Sequence, residues 1–113
     1  MKRTHDLSPL GEFELLVLLA VLRGDGEAYG ALILKDLETR TSRTVSRGAL
    51  YVTLDRLEAK GYVSSRVGEP APNRGGRPRR YYTVRPTGLA LLRQSLDALR
   101  HMSEGLALKL KHP

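Results

Sequence analysis

VSRGALYVTLDRLEAKGYVSSRVGEPAPNRGGRPRRYYTVR, residues 45–85, changes its hydrophobic period once, and that change decides the fold. In the first half Leu50, Leu54 and Leu57 recur at i, i+4 and i+7, the spacing of one helix face. Ser46 stands where a cap would accept the free N–H groups, and Lys60-Gly61 ends the run. Beyond Gly61 the period shortens: YVSSRV (62–67) and RYYTVR (80–85) alternate and are rich in β-branched and aromatic residues, which predicts two strands. Between them GEPAPNRGGRPR (68–79), dense in proline, glycine and arginine, predicts an exposed hairpin loop.

Upstream, Ser8-Pro9 reads as a helix start, a capping serine followed by proline at the first helical position. The helix continues through ELLVLLAVLR and stops at Gly24-Asp25-Gly26. Its apolar residues are too continuous for a one-sided surface helix, so burial on two faces is expected. YGALILKDLETRT (29–41) then predicts a second helix of about ten residues from Ile33, Leu34 and Leu37. A polar, basic turn over Arg40–Thr44 leads to the third. Two short helices, a turn and an amphipathic third helix make a helix-turn-helix, and a basic hairpin directly after it makes that a winged one.

Downstream, Pro86-Thr87-Gly88 opens a helix in which Leu89, Leu92, Leu96, Leu99, Leu106 and Leu110 follow three-four spacing, with Ser103 where one further apolar residue would fall. So narrow a seam pairs with another helix. The fold class expected is mainly α with a small β-hairpin: a winged helix-turn-helix over 1–85 and a C-terminal dimerisation helix over 86–113. The interface would combine Leu16 and Leu19 of the first helix with Leu89, Leu92, Leu96, Leu99 and Leu106 of the last.

Composition narrows the function classes. The chain has 113 residues, room for one compact domain and an extra helix, so burial is completed most simply by a homodimer. It has no cysteine, which removes disulfides, thiolate catalysis and most structural zinc sites. The apolar run Leu15–Leu22 is far short of the roughly 20 residues a bilayer needs, and MKRTHDLSPL is not a secretory signal. A cytoplasmic protein with no membrane partner is expected. His5, His101 and His112 have neither a partnered acid nor metal-ligand spacing, so no enzyme, metal or cofactor is expected. The net charge is +7, which favours anionic partners, double-stranded DNA first.

Placement of the charge supports DNA. Arg74, Arg77, Arg79 and Arg80 crowd the hairpin, with Arg66 and Arg85 on its strands and only Glu69 opposing. Guanidinium forks match phosphate oxygens and base edges. On the third helix Leu50, Leu54 and Leu57 face inward, which leaves Ser46, Arg47, Gly48, Ala49, Tyr51 and Val52 to meet base edges, with Arg43 at the entry beside the phosphates. Two roles stay open for Ser46, cap or DNA contact, and two for Tyr51, core packing or phosphate contact. Gly48 would permit close approach to the duplex, and Val52 would suit a thymine methyl.

AYG (28–30), VSRGALYVTLDRLEAKGYV (45–63) and GGRPRRYYTVRPTG (75–88), taken together and in register, resemble the PadR family of bacterial transcriptional regulators over nearly the whole chain. The resemblance implies that the middle stretch is a recognition helix and the last a DNA-binding wing. It also implies a short-tailed dimer built from the first and last helices, and a small-molecule effector site at the dimer interface. Repression at a pseudo-palindromic operator is the function implied. Ala49 and Val52 replace the family's usual threonine and proline, so operator preference should differ while docking does not. Val84-Arg85 stands where the family usually has the Leu-Thr cap, so that cap should be weaker or replaced. Some members bind flat aromatic drugs through tryptophan, which this chain lacks. The alternative is a winged helix that binds RNA or a protein.

Overall fold

The computed structural model describes residues 10–70, 75 and 77–111. Along the chain these form α1 (Glu12–Arg23), β1 (Ala28–Tyr29), α2 (Gly30–Thr41), α3 (Arg47–Ala59), β2 (Val63–Val67), β3 (Arg80–Val84), α4 (Pro86–Ser103) and α5 (Ala107–Lys111). The order is the winged helix-turn-helix expected, extended by one strand and one short helix.

α1 begins later than Ser8-Pro9 suggested, and those two residues lie outside the described ones. Gly11 is the N-cap, and the Glu14 carboxylate reaches back to accept its backbone N–H at 3.2 Å. That satisfies a donor the helix itself leaves open. Leu15, Val17, Leu18, Ala20 and Val21 are buried, while Leu16 and Leu19 are half-buried on a second flank. α2 runs through Arg40 and Thr41, which the sequence had placed in the turn. Thr41 bonds back to the Leu37 carbonyl, and the helix closes only at Ser42, whose φ of 55° is left-handed. The Glu38 carboxylate then accepts the Val45 N–H at 3.1 Å and holds the short turn. α3 starts as expected, with Ser46 Oγ accepting from the Ala49 N–H at 3.0 Å.

The sheet is three-stranded and antiparallel, ordered β1-β3-β2. β2 and β3 are the expected hairpin, with Val63 opposite Val84 and Val67 opposite Arg80. β1 adds Ala28 opposite Tyr82 and Tyr29 opposite Tyr81. One sheet face carries the buried Ala28, Val63 and Tyr82. These meet Leu18, Ile33, Leu50, Leu54, Leu57 and Leu92 in one core. Burying each such leucine contributes roughly 1.5–3 kcal/mol.

Two expectations for the last helix need correction. Leu92, placed on the interchain seam by its spacing, is only 2% exposed and belongs to its own chain's core. The single helix expected over 86–113 breaks: α4 ends at Ser103, Gly105 turns the chain at a left-handed φ of 81°, and α5 follows. Only glycine adopts such an angle without strain. Of the two outcomes expected for the exit cap, the weaker cap is the one seen: Arg85 gives no side-chain cap bond and Pro86 occupies the first turn, while the Thr87 hydroxyl donates to the Gly61 carbonyl and so ties α4 to the turn after α3 without capping it. The outer part of α4 projects from the core. The radius of gyration is 16.2 Å, against about 13 Å for a compact chain of this length.

Candidate nucleic-acid interface

Apart from Leu50, which is buried, and Tyr51, the first turns of α3 have little to do inside the chain. Arg47, Gly48, Ala49 and Val52 are exposed, Val52 by 57%. The Arg47 side chain makes no ion pair or hydrogen bond with another described residue. A Cβ at Gly48 would meet nothing nearer than Ser46 Oγ at 3.6 Å, so no steric demand within the chain explains the glycine. A glycine in a helix costs about 1 kcal/mol relative to alanine. Ser46 fills the cap role in full. Tyr51 lays its phenol directly over Gly30, where any side chain would collide with the hydroxyl. Packing therefore accounts for much of its ring, and its remaining edge stays exposed.

Between α3 and the wing lies an open cleft of about 790 Å³. Arg47, Tyr51 and Asp55 of α3 form one wall, Arg77, Arg79 and Arg80 of the wing the other, with Tyr29 and Gly30 at the base. Four guanidiniums against one carboxylate make the cleft strongly positive, and concave walls concentrate that potential. Tyr82 also lines it but is buried, and burial pushes its phenol above the usual tyrosine range.

The cations in and around the cleft are divided by their partners. Arg43, expected beside the phosphates, forms a two-pronged ion pair with Glu12 at 2.9 and 3.2 Å. That bond holds the Glu12 carboxyl below its ordinary range and raises the Arg43 guanidinium. Arg56 and Lys60, at the far end of α3, lie 3.6 and 3.7 Å from Glu14. Arg80 donates to Ser65 Oγ at 3.0 Å, and that hydroxyl donates on to Glu58 at 2.7 Å. The Arg79 guanidinium sits 3.9 Å over the Tyr29 ring. Arg74 lies outside the described residues.

Of the residues expected at DNA, Arg47, Tyr51, Arg77 and Arg79 line this one cleft, and Ser46, Gly48, Ala49 and Val52 lie on the first turns of α3 beside it. Arg43 is drawn off to Glu12. Tyr29 and Gly30 at the base were not anticipated as site residues, and their only signal was the AYG stretch. Of the expected interface, Leu96, Leu99 and Leu106 are exposed and Leu89 half-buried. Leu16 and Leu19 line a separate, mostly apolar groove of about 200 Å³ between α1 and α2. Among the described residues no cluster could hold a metal ion, and no helix is long and apolar enough to cross a membrane.

Known proteins resemble this arrangement. Residues 18–94 match the transcriptional regulator PadR-like family. Transcriptional regulator Rv3488 of Mycobacterium tuberculosis is 40% identical over 81 residues, which cover 70% of this chain and 69% of that protein. A PadR family transcriptional regulator from Eggerthella lenta DSM 2243 superposes with a TM-score of 0.65 at 28% identity, covering 90% of this chain and 88% of that one. A PadR-like transcription factor from Bacteroides fragilis gives a TM-score of 0.70 at 24% identity, over 84% and 86% of the two chains. At that identity the likeness speaks to the fold alone.

Proposed function

We propose, for a chain that belongs to the PadR-like family of transcriptional regulators, that it represses transcription as a two-fold dimer on a pseudo-palindromic DNA site. Membership makes it a DNA-binding regulator and not an enzyme. The mode of binding is our reading. The observation that carries it is the cleft in which Arg47 of α3 faces the wing's arginines. The exposed first turns of α3 enter the major groove, with Arg47 at base edges and Val52 against a thymine methyl. The wing, through Arg77, meets phosphates and holds the register without reading sequence.

Dimerisation through the exposed leucines of α4 with α1 of the partner would cover Leu96 and Leu99 and set the two recognition helices about 34–36 Å apart, one turn of DNA. A small-molecule effector entering between those helices would change that spacing. Such a protein bound across a promoter excludes polymerase, hence repression, and it works beside the chromosome in the cytoplasm.

Competition binding tests the reading. Random duplex should displace labelled DNA far better than single-stranded RNA does, with log affinity falling linearly in log salt. The Arg77→Ala variant should flatten that line by about one unit. Preference for single-stranded RNA, or no dependence on salt, would overturn it.

A further inference from the structure

The sheet face turned away from the core carries a row of side chains that neither the core nor base reading uses. Register puts Tyr29 opposite Tyr81 and Tyr81 opposite Arg66, so the three lie side by side across all three strands. The two rings meet edge to face, 6.0 Å apart at 81°. Arg66 caps the Tyr81 ring at 4.6 Å, and Arg79 caps the Tyr29 ring at 3.9 Å. The result is a ladder of cation, ring, ring and cation, a stack that ring quadrupoles favour at both ends.

Two members of the ladder, Arg66 and Tyr29, tie it to segments outside the wing. Arg66 donates to the Gly26 carbonyl at 3.1 Å and pairs with Glu27 at 3.4 Å, in the turn between α1 and β1. Tyr29 is the N-cap residue of α2. At the wing's root the Gly68 N–H donates to the Arg79 carbonyl at 2.7 Å, and the Tyr81 ring crosses Gly68 so closely that a Cβ there would lie 2.6 Å from it. The ladder thus ties the base of the wing to the start of the helix-turn-helix.

We propose that Tyr29 is a positioning residue for the wing and that Arg79 is the strut it holds, not a phosphate contact. Without the stack, the strand ends that carry Arg77 and Arg80 would have no fixed orientation relative to α3 before meeting DNA. With it, the wing wall of the cleft is set at a fixed angle to α3. The proposal rests on the wing meeting DNA as described above, so one arm of its test uses no DNA.

In that arm, hydrogen exchange is followed at the Gly68 amide of the free protein. Arg79→Gln and Tyr29→Leu should each accelerate it by about two- to fivefold, and Tyr29→Phe, which keeps the ring, should not. In the second arm Tyr29→Leu removes no charge, yet it should flatten the salt dependence of duplex binding by about one unit or more. Adding Arg79→Gln to it should change little further. Unchanged exchange at Gly68 in Arg79→Gln would overturn the proposal, and that variant, at a half-buried position outside the core, answers even if Tyr29→Leu fails to fold. So would a salt slope that Arg79→Gln flattens and Tyr29→Leu does not, because Arg79 would then meet phosphate itself.

Discussion

The two halves of α4 are built from the same residue and end in opposite surroundings. Leu91 and Leu92 are buried in their own chain's core, whereas Leu96 and Leu99, one and two turns further on, are 41% and 56% exposed. α3 repeats the contrast with charge. Its C-terminal Arg56 and the adjoining Lys60 have Glu14 beside them, while Arg47 in its first turn has no partner among the described residues. In both helices one half is settled by contacts within the chain. The other half presents exposed groups whose partners, in the function proposed above, are an apolar helix and a nucleic acid from outside the chain.

If that division is right, mutations on its two sides fail differently. Leu92→Ala should lower folding stability by about 2–5 kcal/mol in denaturant titration. A loss as small as that of a surface substitution would place Leu92 outside the core. Leu99→Glu should leave the chain folded by circular dichroism but monomeric in sedimentation. Specific affinity should then drop by about 10²–10⁴-fold, because the second half-site no longer binds intramolecularly. A folded Leu99→Glu dimer would remove α4 from the interface. Arg47→Ala should cost about 1–3 kcal/mol of discrimination at particular base pairs, with much less effect on random duplex. Binding profiles that coincide after scaling would move recognition elsewhere.

The smallest effect belongs to a pair that blurs the division. Arg43 lies just before α3 yet is held by Glu12. Because that bond depresses the Glu12 carboxyl, its contribution is present above the ordinary carboxylate range and is lost as pH falls through the depressed value. Both groups are exposed, so Glu12→Gln should hardly move the unfolding midpoint at neutral pH. It should release Arg43 and tighten duplex binding slightly, steepening the salt dependence by up to about one unit. No change in slope would mean that no phosphate comes within reach of Arg43.

What could be read in the sequence follows the same line. α3 and the β2–β3 hairpin were legible because their signals are local: a capping serine, a change of period, a loop of proline, glycine and arginine. β1 was not, since two residues, Ala28 and Tyr29, carry no period and become a strand only by pairing with β3 some fifty positions on. The Arg43–Glu12 and Arg79–Tyr29 contacts were hidden for the same reason. Leu92 misled because a three-four repeat says which residues share a face, not where along the helix that face leaves its own core. Gly105 falls inside the run that the leucine spacing carries to Leu110, and only its left-handed φ shows that the helix has ended before it.

Selection of bound duplexes from a random pool with the purified wild-type protein tests the central claim, that α3 reads sequence from a two-fold dimer. The account predicts an enriched motif of two inverted half-sites whose centres lie about one helical turn, roughly 10 base pairs, apart. A pool that stays random, or a single half-site with no inverted partner, would contradict it.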